Sequence, residues 1–349
     1  MGNYHIAIKK LMQSLAGEYG EVTAAPPITK RTLELGSKHS PDFVCIPFKY
    51  NLGNFIEALD GGADFLIQTG GSCRLGYYGE IQEQILRDLG YKFEFCMIET
   101  SKGNPLVYYD AFKKINPKLT YIQTARAAVI AARTLLAIDG VERFIRGNIG
   151  FETEKGSFER VEKQFFSELE KAQKLKEINA VYKKCMKKLK ELPVNKPENP
   201  MKVGMVGELY VLMEPFANYF IEKELAKFGI EVKRYMAVTY RMFSPSHSMK
   251  RQMKQAEGYL KYHIGADGTD SVGKSVLMAK DGFDGIIHLK PFGCTPEVNS
   301  IPMMQRLSED FKIPVLYFSF DSQTSETGIK TRLEAFYDML EMKMKGVVS

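Results

Sequence analysis

An α/β architecture with parallel sheets in two parts follows from three features of the 349-residue chain. Apolar runs of strand length alternate with segments of helical spacing, an order that lays helices over the faces of a parallel sheet. The alternation stops at Pro193-Val-Asn-Lys-Pro-Glu-Asn-Pro200, where three prolines in eight residues rule out a continuous helix. It then begins again with a fresh strand. A single core seldom grows across a chain this long, so the length also fits two.

Along the first half, Asp42-Phe-Val-Cys45 reads as a short strand, and residues 54–59 have helical spacing ended by Gly61-Gly62. Residues 64–69 are apolar and strand-like, 78–89 helical with Gly90 as the stop, and 92–98 strand-like again. Residues 121–138 form an Ala-rich helix that Gly140 is expected to end. From 158 to 192 the pattern is helix only: Phe158, Val161, Phe165 and Leu169 make one stripe, and Leu175, Ile178, Tyr182, Cys185, Leu189 and Leu192 a second. Beyond the prolines, strands are expected over 202–207, 231–236, 285–289 and 314–320, with helices over 216–228, 275–280 and 331–345 and a helical region through Lys261. The chain thus divides into an N-terminal part (1–150), a helical segment with its linker (151–200) and a C-terminal part (201–349).

Composition narrows the function. The apolar share is 44% and the charged share 26%, as in soluble globular proteins. Five cysteines are an odd number and do not make a disulfide framework. Met1-Gly-Asn-Tyr-His-Ile lacks the basic and apolar regions of a signal peptide, and Ile6 stands where a myristoylation signal wants Ser or Thr. No uncharged apolar stretch approaches the ~20 residues of a membrane span. A reducing cytoplasm is the expected compartment, because thiols persist there. Much of the net charge of +6 sits in Lys183-Lys184 and Lys187-Lys188-Leu-Lys190, a solvated helix face, and nucleic acid is not an expected partner.

The chemistry points to sulfur. Cys45, Cys73 and Cys294 each follow an apolar run and precede a helical segment. Ligands of parallel α/β sheets collect outside the carboxyl ends of the strands, so thiols delivered there can meet although distant in sequence. Thiolates suit zinc, copper(I) and iron–sulfur clusters. Free cysteines equally serve as small buried hydrophobes, and none of the three has the close spacing of a zinc ribbon or ferredoxin. Cys185, on its helical stripe, and Cys96, inside a strand, are expected to be structural. The two halves echo each other: Gly62-Ala-Asp-Phe-Leu-Ile leads to Cys73, and Gly282-Phe-Asp-Gly-Ile-Ile leads to Cys294. Arg74, Lys290 and Glu297 bring charge close to these thiols, as an anionic cluster would require, or as loop tips commonly do.

Other motifs carry less. Gly268-Thr-Asp-Ser-Val-Gly273-Lys274-Ser275 fits the phosphate-loop pattern, but the residues before it have helical spacing where a strand is needed, so no ATPase is expected. His288 is expected as a hydrogen-bonded core histidine and His247 as a surface one.

Four segments together resemble a known family: Cys45-Ile-Pro-Phe-Lys-Tyr-Asn-Leu-Gly53, Gly70-Gly-Ser-Cys-Arg-Leu-Gly-Tyr-Tyr78, the stretch 282–297 with Cys294, and the stretch 326–336. They are similar to the cluster subunits of 2-hydroxyacyl-CoA dehydratases and benzoyl-CoA reductases, in the branch labelled CoA protein activase, with double-cubane cluster proteins as relatives. The resemblance implies two Rossmann-like domains with a [4Fe-4S] cluster in the cleft between them, held by Cys45, Cys73 and Cys294. It implies a low-potential, electron-accepting reductase component of anaerobic metabolism, served by a separate ATPase of actin-like fold that carries its own cluster. A homodimer would let two such sites cooperate, with a sulfide-bridged double cubane as one outcome. Two other readings stay open: a 2-hydroxyacyl-CoA dehydratase subunit, and a metal or cluster carrier without catalysis. Cys96 stays open as a fourth ligand.

Overall fold

The computed structural model describes residues 2–70, 73–98 and 106–346. The chain forms two compact units, Tyr4–Thr134 on one side and Met1–Asn3 with Leu135–Ser349 on the other. Both are α/β with parallel sheets, as the alternation predicts.

The smaller unit runs α1 (His5–Ala16), α2 (Lys30–His39), α3 (Ile46–Asp60), β1 (Phe65–Thr69), α4 (Tyr78–Asp88), β2 (Glu94–Ile98), α5 (Leu106–Lys113) and the first part of α6 (Tyr121–Arg146). β1 and β2 pair in parallel from Phe65↔Glu94 to Thr69↔Ile98, with α4 in the crossover that parallel strands require. Successive side chains of β1 enter different cores, as the two-residue period of a strand demands. Leu66 packs with Phe48, Leu52 and Ile56 of α3 and with Leu86 of α4, while Ile67 packs against Leu15, Phe112 and Ala127.

Helix α2 was not legible as an apolar stripe, because it buries Thr32 and Gly36 rather than large side chains. Thr29 and Thr32 close a capping box at its start, and Thr32 Oγ1 donates to Glu57 Oε2 of α3 at 2.7 Å. The two helices cross backbone to backbone. A Cβ on Gly36 would stand 1.7 Å from the Lys49 carbonyl oxygen, and one on Gly53 1.8 Å from that of Thr32.

The larger unit continues with α7 (Ser157–Lys171) and α8 (Leu175–Glu191), a hairpin whose stripes and buried Cys185 follow the expected spacing. After the proline break come β3 (Lys202–Gly207), α9 (Leu209–Met213), α10 (Ile221–Lys227), β4 (Glu231–Arg234), α11 (Val238–Phe243) and α12 (Met249–Gln255). Then follow α13 (Gly268–Lys280), β5 (Gly285–Pro291), α14 (Thr295–Phe311), β6 (Val315–Phe320) and α15 (Glu326–Met344). The four strands pair in parallel in the order β4-β3-β5-β6. The chain therefore leaves β3 toward β4 and returns across it to β5, so the crevice at the strands' carboxyl ends opens between β3 and β5. Helices α13 and α14 cover one face, where Val272, Val276, Met304 and Leu307 pack on Val206 and Ile286.

Four local expectations are corrected. Residues 42–44 form a turn instead of a strand: Val44 N–H donates to Pro41 O, and Phe43 is 99% exposed, with no sheet to cover. Helix α6 runs through Gly140, because the Tyr182 hydroxyl would lie 2.8 Å from a Cβ there; the glycine serves helix packing, not termination. The helix expected over 216–228 starts only at Ile221, since Tyr219 and Phe220 hold left-handed backbone at φ 55° and 56°. The phosphate-loop pattern lies wholly inside α13.

Candidate metal centre

Each of the three thiols stands at the start of a helical segment, Cys73 and Cys294 after a strand and Cys45 after a turn. Cys45 is the N-cap of α3, with Pro47 in the first turn holding the helix start. Cys73 follows β1 and directly precedes a 3₁₀ turn, Arg74–Tyr77, that feeds α4. Cys294 follows β5 and is the N-cap of α14. The echo between the halves is thus structural: strand, loop and thiol at a helical start in both units. Neither Cys45 nor Cys294 spends its sulfur on a capping hydrogen bond. The positive end of each helix favours the thiolate form, which is the form that binds metal.

Within the smaller unit, Tyr78 connects two of the thiols. Its hydroxyl lies 3.1 Å from Cys45 Sγ. Burial first, then the neighbouring Cys45 and the charge of Cys73, push that hydroxyl far above the ordinary tyrosine range. Sequence reasoning missed Tyr78; its only signal was a position at the start of α4. Exposed aromatic rings flank all three thiols, with Phe43, Tyr77 and Phe292 a few residues away. Among the described residues, no three His, Cys, Asp or Glu side chains form a group able to hold a metal ion. The spare thiols sit as predicted: Cys185 is buried on α8, its pKa pushed up to about 12 by burial, and burial also raises that of Cys96 in β2.

Around Cys294 the larger unit is polar inside. Along β5, Ile286, His288 and Lys290 point toward α13 and α14, in register with Val315, Tyr317 and Ser319 of β6. This face changes from apolar to charged toward the carboxyl end. His288 is the expected core histidine: its Nε2 lies 2.6 Å from Glu297 Oε2, and both side chains are fully buried. Glu297 Oε1 accepts from Ser271 Oγ of α13 at 3.1 Å. Glu297 is therefore no loop-tip charge; it ties β5, α13 and α14 together three residues after Cys294. His247, in turn, is half-buried rather than on the surface, with Nδ1 3.0 Å from Gln252 Nε2 and its ring against Tyr240.

The phosphate-loop residues are all spent on packing. Lys274 Nζ donates to Gln255 Oε1 at 2.9 Å and lies over the rings of Tyr235 and Tyr240. Ser275 Oγ donates to the Ser271 carbonyl, and a Cβ on Gly268 would stand 2.4 Å from the Pro296 carbonyl oxygen. Gly268 allows α13 to touch α14 and Gly273 allows it to touch α12, so the stretch is packed helix and not a phosphate-binding loop.

At the β3 end of the crevice, Glu208 accepts from the amides of Tyr210 and Val211, both at 3.0 Å. Burial raises its pKa from 4.5 to about 7, with Asp267 and Glu297 adding to the effect. The folded chain therefore keeps a proton that the unfolded chain releases. The penalty is absent below about pH 4.5, grows as pH rises toward 7, and is constant above. Glu208→Gln is expected to remove this slope and to be the more stable protein above pH 7, by no more than about 3 kcal/mol. Urea melts of both proteins across pH 4–8 check it; parallel curves would show that Glu208 binds its proton equally in the folded and unfolded chain.

A parallel α/β protein with helix-start thiols in both units is a candidate cluster protein. Residues 163–340 match the 2-hydroxyglutaryl-CoA dehydratase, D-component family, and the chain belongs to that family. The match spans just over half of the chain and includes Cys294, with Cys45 and Cys73 upstream of it. No curated protein matches the chain. No helix among the described residues is long and apolar enough to cross a membrane.

Proposed function

We propose that the chain is an iron–sulfur component of a 2-hydroxyacyl-CoA dehydratase-type system, acting as its low-potential electron acceptor. The observation that carries this reading is the placement of Cys45, Cys73 and Cys294 at helical starts, two in the smaller unit and one in the larger, in a member of that family. The donor set fits the group: three soft thiols, two of them sharing the Tyr78 neighbourhood, with helix N-termini behind them to favour the thiolates. Cys45, Cys73 and Cys294 would hold a [4Fe-4S] cluster, which supplies storage for one electron at low potential. The chain's own contribution is to present thiolates and to hold the Tyr78 hydroxyl as a hydrogen-bond partner of Cys45. A separate actin-like-fold ATPase activator, a cytoplasmic setting and a homodimer with a double cubane belong to the same proposal.

Single Cys45→Ser, Cys73→Ser and Cys294→Ser variants, purified and reconstituted without oxygen, are expected to lose most iron and acid-labile sulfide. Cys96→Ala and Cys185→Ala should keep both. Full iron in all three serine variants would refute the assignment, and loss in Cys96→Ala would make it a fourth ligand. One zinc with no sulfide would favour a metal carrier. A full dehydratase subunit is the second reading, favoured by the family itself; protection of the protein against heat by an acyl-CoA would support it.

A further inference from the structure

We propose that helix α11 is a displaceable strap over the cavity at the carboxyl end of β3. An ordinary surface helix buries an apolar stripe and turns its polar side outward. Helix α11 does the reverse. Its one buried residue is Thr239, while Met242 and Phe243 are 60% and 48% exposed. The core of Val206, Val272 and Val276 beneath takes no side chain from residues 237–248.

What holds α11 is a row of polar clips. Three consecutive residues each reach a different aspartate. Thr239 gives its amide, at 2.9 Å, and its hydroxyl to Asp139 Oδ2. The Tyr240 hydroxyl donates to Asp270 Oδ1 at 2.7 Å. Arg241 Nη1 pairs with Asp267 Oδ1 at 2.6 Å. All three carboxylates are buried, so each clip is a charge-assisted bond shielded from water. On either side of the helix, Ala237 and Ser244 hold extended backbone, with ψ 161° and 124°, and so mark the two hinges.

The cavity is lined by Gly207, Tyr235, Met236, Asp270, Ser271 and Lys274. Tyr240 touches two of these residues: its hydroxyl is on Asp270, and its ring centre lies 4.8 Å from the Lys274 ammonium. Swinging α11 outward trades its clips for water and gives up almost no apolar burial, so it needs far less free energy than unfolding the unit. It would uncover the Lys274 amine and the carboxylates of Asp267 and Asp270. The strap thus gives the unit a gated entrance at the β3 side of the crevice.

The test reads opening in two ways, acetylation of Lys274 by acetic anhydride and chymotryptic cleavage after Tyr240 or Phe243, both followed by mass spectrometry. In the wild-type chain without denaturant, cleavage there should rise only weakly with added urea, because opening the strap exposes little surface. Tyr240→Phe and Arg241→Met each remove one clip, and each should speed acetylation of Lys274 by about tenfold or more, the factor of one hydrogen bond to a charged group. The exposed Lys280 should react at an unchanged rate in all chains. Met242→Ser, at an exposed position without a clip, should match wild type. Cleavage of the wild-type chain that rises with urea as steeply as melting of the whole unit would overturn the proposal, whatever the variants do. So would acetylation of Lys274 at the wild-type rate in both clip variants.

Discussion

Glu297→Ala is expected to destabilise the larger unit by about 3–5 kcal/mol, because two buried hydrogen-bonding groups lose their partner at about 1–3 kcal/mol each. The carboxylate is fully buried and holds groups from two other elements, His288 of β5 and Ser271 of α13. Alanine leaves both without a partner, and water cannot reach them without opening the β5–α13–α14 contact. Glu297→Gln should cost less, about 1–3 kcal/mol, because the amide satisfies part of the set. The double change His288→Leu with Glu297→Leu is the sharper measurement. Replacing the pair by apolar groups should be milder than Glu297→Ala, so the effects of the single changes will not add. Additive losses in denaturant melts would show that the two residues act independently.

Gly53→Ala should injure the smaller unit at the upper end of the ~1–3 kcal/mol that overpacking costs. The added methyl would stand 1.8 Å from the Thr32 carbonyl oxygen, a backbone atom that cannot rotate away. Helices α2 and α3 would have to separate, and α3 begins at Cys45, so iron uptake should fall together with stability. Gly36→Ala, on the facing helix, should do the same. Thermal melts and limited proteolysis of the two variants check it. An unchanged melt would mean that the helices do not meet at these glycines.

What the sequence made legible follows burial. Strands β3, β5 and β6 were expected almost to the residue, because β5 is buried throughout and β3 nearly so, and such strands are written as unbroken apolar runs. The hairpin of α7 and α8 was legible from two apolar stripes. Asp42-Phe-Val-Cys45 had the composition of a strand and none of the context, since its ring faces solvent. Helix α1 had a usable signal in Ile6, Met12, Leu15 and Ala16, all buried. Helix α2 had none, because its contact with α3 is made by backbone at glycines. In the candidate centre, Cys73 and Cys294 could be read as strand-end residues, whereas Cys45 follows a turn. Tyr78 and Glu297 could not be assigned in advance. Their roles depend on which side chains the fold places beside them, and a glutamate trailing a loop reads the same whether it is solvated or buried.

Helix α13 also sets an order of opening for its unit. Ten of its thirteen residues are buried, and it is packed by β3, β5, α12 and α14. Its amides have no local route to solvent, so they exchange their hydrogens only when the whole unit unfolds. The short helices α11 and α12 have one buried residue each, Thr239 and Gln252, and can open at lower free energy. The loop carrying Cys294 is anchored to the slow part through Glu297 and Ser271, while Arg241 and His247 ride on the fast part. One wall of the crevice is thus a fixed frame, and motion on the sub-global timescale belongs to the other.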